Sequence, residues 1–95
     1  MTIAERNKLY TRAITLFGSE KQILVAVEEL AELQKELLKN INRGKNNRDR
    51  VIDEIADVMI MVEQLYIIYG IKHHEIDDHV ETKLERLRLM IGGTE

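Results

Sequence analysis

The sequence predicts an all-α chain of four helices. Three observations carry that reading. There is no proline anywhere among the 95 residues. The glycines stand as isolated breaks at Gly18, Gly44 and Gly70, with Gly92-Gly93 near the end. Between those breaks, apolar residues recur at three- and four-residue steps, the period of a helix with one side buried.

The first segment runs from Ile3 to about Leu16, with Leu9, Tyr10, Ala13, Ile14 and Phe17 on one side. Gly18 ends it. Ser19 to Gln22 then has the form of a capping box, with Ser at the cap and Gln three residues on. The second segment extends from there to about Asn42, with a main apolar stripe of Ile23, Val27, Leu30, Leu37 and Ile41. The polar stretch from Arg43 to Asn47 is short, so the helices on either side are expected to be antiparallel neighbours. The third segment runs from about Arg48 to Tyr69. The fourth begins near His73 or His74, with Ile76, Val80, Leu84, Leu87 and Ile91 as its stripe, and leaves a frayed Gly92–Glu95 tail. Val25, Val27, Ile67 and Ile68 are β-branched, but they lie inside long helix-period segments and are read as helix. Residues 1–95 form a single domain, with no internal repeat.

A chain of this length builds a modest core and usually needs a disulfide, a metal or a partner chain. Cysteine is absent, which removes disulfides and thiolate metal sites. Oxygen-ligated metal, self-association, or both remain. A net charge of −3, with 33% of residues charged, argues against a general nucleic-acid binder. No uncharged apolar block is long enough to cross a bilayer, and no secretory signal is visible. The expected location is cytoplasmic, without membrane association.

The anomaly lies in the acids. The second segment carries Glu28, Glu29 and Glu32, the spacing EExxE, directly after the all-apolar run Ile23 to Val27. The third carries Glu54 and Asp57, the spacing ExxD, followed directly by Val58-Met59-Ile60-Met61-Val62. Residues three or four apart share a helix face. In an antiparallel pair, Glu32 and Glu54 lie at similar distances from the connection, so both acidic groups reach similar depth. An ionised carboxylate buried alone costs several kcal/mol, on the order given by desolvation, and neighbouring carboxylates repel. A divalent cation among Glu28, Glu29, Glu32, Glu54 and Asp57 removes both costs. An all-oxygen donor set suits Mg²⁺ or Mn²⁺, not zinc. Either motif by itself is common on solvated helix faces; the two together, against apolar segments, define the site. Glu36 and Lys35 are assigned to the solvated face.

Glu28-Glu29-Leu30-Ala31-Glu32 with Asp53-Glu54-Ile55-Ala56-Asp57, preceded by Phe17 to Gln22 and followed by Lys83-Leu84-Glu85-Arg86, resembles the all-α nucleoside triphosphate pyrophosphohydrolases, and the MazG-like proteins in particular. The resemblance covers Phe17 to Arg86. It implies hydrolysis of a nucleoside triphosphate between the α- and β-phosphates, giving the monophosphate and pyrophosphate. It implies Mg²⁺ held by Glu29, Glu32, Glu54 and Asp57, with Glu28 as ligand or base. It also implies a dimer or tetramer whose helical-bundle core is shared between subunits. Within that chemistry, Glu28 or Glu32 is the candidate to deprotonate the attacking water. His79, Lys83 and Arg86 form one stripe on the fourth helix that could meet the phosphates, the competing reading being a solvated face. Phe17 and Tyr10 are candidate walls for the base and Gln22 and Asn7 candidate polar readers; core packing is the alternative for the aromatics. His73-His74 is read as a helix start. Two other functions are weighed: phosphoribosyl-ATP pyrophosphatase of the same fold, disfavoured because Met59 to Val62 lacks its tyrosine-histidine pair, and a non-catalytic helical oligomerisation module.

Overall fold

In the computed structural model, which describes residues 1–44 and 46–92, the chain folds into four helices: α1 (Ile3–Phe17), α2 (Ser19–Arg43), α3 (Arg48–Tyr69) and α4 (His73–Gly92). No strand occurs among the described residues. Lys45, in the expected connection, and Gly93–Glu95, in the expected tail, lie outside the described residues.

Local chemistry explains the boundaries. Thr2 opens α1 with a reciprocal cap: its Oγ1 accepts from the Glu5 N–H at 3.1 Å, and Glu5 Oε1 accepts from the Thr2 N–H at 3.2 Å. Gly18 closes α1 and starts α2 in the same residue. Its N–H donates to the Ile14 carbonyl at 2.8 Å, and its own carbonyl accepts from Gln22 N–H at 3.1 Å. That double duty requires φ of 93°, a value that favours glycine. The expected capping box at Ser19 and Gln22 does not form: Gly18 is the cap residue, no side chain caps the helix, and the Gln22 side chain is turned into the interior. Gly70, at φ 64°, ends α3 in left-handed geometry, and Ile71 N–H reaches back to the Tyr66 carbonyl at 2.8 Å, the 6→1 bond of a Schellman turn.

α2 and α3 form the closest pair, antiparallel across the short connection, and α1 lies against both. α4 touches the rest only slightly, chiefly where His73 Nε2 meets Glu63 Oε2 at 3.1 Å and its ring stands edge-on to Tyr66. The molecule is accordingly extended. Its radius of gyration is 16.6 Å, whereas a compact chain of this length would have about 12 Å.

The interior differs from the expected one. Among the described residues, the only buried apolar side chains are Ala26 and Met61; Gln22, Glu36 and Gln64 are buried with them. The apolar stripe of α2 faces outward: Val27, Leu30, Leu37 and Ile41 are all exposed. Val80, Leu84, Leu87 and Ile91 of α4 are exposed as well. Periodicity located these stripes correctly but could not say that the intrachain seam runs along a different, more polar face. No described helix is long and apolar enough to cross a membrane.

Candidate metal centre

The seam between α2 and α3 is built from polar residues at seven-residue intervals. On α2 these are Gln22, Glu29 and Glu36; opposite them, Asn47 at the cap of α3 and Glu54 are seven apart, and so are Asp57 and Gln64. A seven-residue step drifts only about 20° around a helix, so each set keeps to one face. Antiparallel packing turns the two sets into three layers, each about 10 Å from the next at 1.5 Å per residue.

The two outer layers satisfy themselves. At one end, Gln22 Nε2 donates to Gln64 Oε1 at 2.7 Å, and Gln64 Nε2 points to the Met61 sulfur at 3.7 Å. At the other, Asn47 Nδ2 donates to Glu36 Oε2 and to the Glu36 carbonyl, both at 2.8 Å.

The middle layer does not. It brings together Glu29, Glu54 and Asp57, each offering one carboxylate oxygen within 4.8 Å of the others. Glu29 and Glu54 are half-buried; Asp57 is at the exposed edge. Glu54 Oε2 is buried and has no hydrogen-bond partner. Burial, followed by the charges of Asp57 and then Glu54, pushes the Glu29 carboxyl above the usual carboxylate range. Three like-charged groups gathered at a partly buried site repel one another. Together the three could hold a metal ion, and hard carboxylate oxygens favour hard cations.

The other sequence candidates lie elsewhere. Glu28 and Glu32 are exposed and stand outside the three converging acids. His79, Lys83 and Arg86 do share one face of α4, lining a shallow depression with Asp78 and Thr82. Since α4 does not pack on α2 and α3, that face is not brought to the acids within one chain. Phe17 is exposed at the end of α1. Gln22 is buried and committed to Gln64. Tyr10 lines an apolar groove between α1 and α3 with Tyr66, Met59 and Ile60. Asn7 borders a smaller one beside Tyr10 and His73.

Three residues escaped sequence reasoning. Glu36, expected on the solvated face, is 3% exposed; Asn47 and Gln64 meet Glu36 and Gln22 across the seam. The signal that would have found Glu36 is its heptad relation to Gln22 and Glu29, which marks it as belonging to their face. No family model, curated protein or solved structure matches the chain.

Proposed function

We propose that this chain is a Mg²⁺-dependent nucleoside triphosphate pyrophosphohydrolase of the MazG-like kind, working as a dimer or tetramer. The observation that carries the reading is the middle layer of the α2–α3 seam. Three carboxylates converge there with a buried, unpaired Glu54 oxygen, between two layers whose hydrogen bonds are made.

Glu29, Glu54 and Asp57 would hold the ion, with Glu32 joining from the next turn of α2. When bound, Mg²⁺ supplies charge neutralisation at the phosphates and activates water at neutral pH. Glu28 or Glu32 orients the attacking water and accepts its proton; both are exposed and border Glu29 on α2. Attack at the α-phosphorus breaks its bond to the bridging oxygen, leaving the monophosphate and pyrophosphate. Lys83 and Arg86, with His79 beside them, neutralise the departing phosphates. Because α4 stands off its own α2 and α3, that role requires a neighbouring chain to bring the basic face to the acids, or α4 to close. Phe17 and Tyr10 remain the candidate walls for the base.

The outward-facing stripes of α2 and α4 support self-association, since a chain with two buried apolar side chains among its described residues has little core of its own. A purely structural oligomerisation module would use the same stripes, but it leaves the three converging acids uncompensated. Phosphoribosyl-ATP pyrophosphatase is the alternative substrate assignment on the same site. The reading places the reaction in the cytoplasm, on soluble nucleotides.

A pyrophosphate-release assay over canonical and modified nucleoside triphosphates, with phosphoribosyl-ATP alongside, tests the assignment. Release with Mg²⁺ that disappears in Glu54→Gln supports it. No release from any substrate at any Mg²⁺ or Mn²⁺ concentration contradicts it.

A further inference from the structure

The residue that opens α3 does something unusual. A cap asparagine normally accepts, through its side chain, a hydrogen bond from the first turn of the helix it begins. Asn47 makes no such bond. Its amide is instead spent across the seam, donating both hydrogens' worth of bonding to Glu36: 2.8 Å to Oε2 and 2.8 Å to the main-chain carbonyl. Asn40 Nδ2 donates in turn to Asn47 Oδ1 at 3.3 Å. Lys39 Nζ stands 3.4 Å from the other Glu36 oxygen. Glu36 is the most deeply buried acid among the described residues, so its placement is tolerated only while these donors are in reach.

We infer that Glu36 and Asn47 are positioning residues for the acid cluster: their clasp sets how far α3 is slid along α2, and so holds Glu54 and Asp57 opposite Glu29. Glu29 and Glu36 are seven residues apart, and so are Asn47 and Glu54. Clasp and cluster are therefore equal steps along the two helices, and a slip at one is transmitted undiminished to the other.

Apart from the Gln22–Gln64 hydrogen bond at the far end of the seam, little else resists that slip. The seam's buried apolar side chains are the small Ala26 and the flexible Met61, and methionine adapts to many shapes. A slip of one helical turn moves α3 by about 5.4 Å, enough to part oxygens now within 4.8 Å of each other. It would also strand the buried Glu36 without its donors. A buried polar pair that fixes register is a recognised use of such groups. The Asn47 hydrogen bond, against the opposing effect of burial, holds the Glu36 carboxyl below its usual range, in keeping with a carboxylate that stays ionised in the clasp.

The consequence for metal rests on the function proposed above; the register itself does not. Two readouts on the 95-residue chain separate them. The first is Mn²⁺ affinity by electron paramagnetic resonance. The second, taken in EDTA, is the dipolar distance between nitroxides at Glu20→Cys on α2 and Asp53→Cys on α3, both exposed sites in a cysteine-free sequence. Asn47→Ala and Asn47→Asp should broaden or shift the distance and weaken Mn²⁺ binding about tenfold, the low end for lost supporting bonds at metal sites. Adding Glu36→Gln to Asn47→Asp reverses donor and acceptor in the side-chain pair, though not in the bond to the Glu36 carbonyl, and should restore both in part. Ile14→Ala, a packing loss on α1, should move neither. A wild-type distance and wild-type affinity in Asn47→Ala would overturn the inference. Asn47→Ala adds no charge, so it carries the test where Asn47→Asp fails to fold. If the unmodified chain binds no Mn²⁺, the metal site falls, and the distance measurement alone decides the clasp.

Discussion

Glu54 and its neighbours carry the account at the scale of single residues. Glu54→Gln or Asp57→Asn removes one of three mutually repelling charges and one oxygen donor. In the absence of metal, either substitution should leave the melting temperature unchanged or raise it, while pyrophosphate release is lost. Calorimetry in EDTA beside a release assay checks both halves; a marked fall in metal-free stability would mean that the acids support one another in some other way. The candidates for the base separate differently. Whichever of Glu28→Gln and Glu32→Gln lowers kcat by ~10²–10⁴ without weakening Mn²⁺ binding identifies the general base.

The two shifted carboxyls bend stability with pH in opposite senses. Burial and then the Asp57 and Glu54 charges raise the Glu29 value in the fold. As pH rises past the free-glutamate value of about 4.3, the unfolded chain gives up this proton before the folded one does. Metal-free stability therefore falls through the interval up to the folded value and levels off above it. The Asn47 hydrogen bond lowers the Glu36 value despite burial. Its contribution is complete above about pH 4.3 and drains away as pH falls toward the folded value. Denaturant titrations in EDTA should show the first slope vanish in Glu29→Gln and the second in Glu36→Gln. Unaltered pH profiles in both variants would contradict the assignments.

At the scale of elements, α2 and α3 make the site and α4 is the loosely held part. α4 meets the remainder mainly through the exposed His73–Glu63 contact, and exposed pairs of this kind contribute little. Under conditions that favour monomer, amide hydrogen exchange should be fastest along α4 and slowest on the facing sides of α2 and α3; equal protection of α4 in the monomer would contradict this packing. Helix limits were readable in the sequence because glycine, without proline, punctuates them: α3 runs from Arg48 to Tyr69 as expected, and α1, α2 and α4 end within a residue or two of expectation. Which face of α2 meets α3 was not readable. Val27, Leu30 and Leu37 make the stronger apolar stripe, and nothing in periodicity distinguishes a surface for another chain from one for the same chain. Gln22 illustrates the same difficulty, since its spacing from Ser19 fits a cap while its amide serves a tertiary bond with Gln64. Of the acidic site, the convergence of Glu29, Glu54 and Asp57 was legible from EExxE and ExxD on antiparallel helices. The flanking Glu36–Asn47 layer was not, because glutamate at helical spacing ordinarily faces water.

For the whole molecule, the balance of surface and core points outward. The described chain buries two apolar side chains and exposes apolar stripes on α2 and α4. Sedimentation over a dilution series should accordingly show a dimer or tetramer whose dissociation is accompanied by loss of helix stability. A compact monomer, stable at all concentrations, would contradict the shared-core reading. In the proposed reading, self-association and metal would stabilise the fold independently, and only the second would depend on the acids.

The most direct test of that dependence is the melting temperature with and without Mg²⁺ at matched ionic strength and fixed chain concentration. An ion present at a hundred times its dissociation constant stabilises the fold by about 2.7 kcal/mol, which for a domain of this size is a rise on the order of 10 °C. The unmodified chain should show that rise and Glu54→Gln should not. An absence of any rise, or an equal rise in both proteins, would mean that Glu29, Glu54 and Asp57 do not converge on a cation.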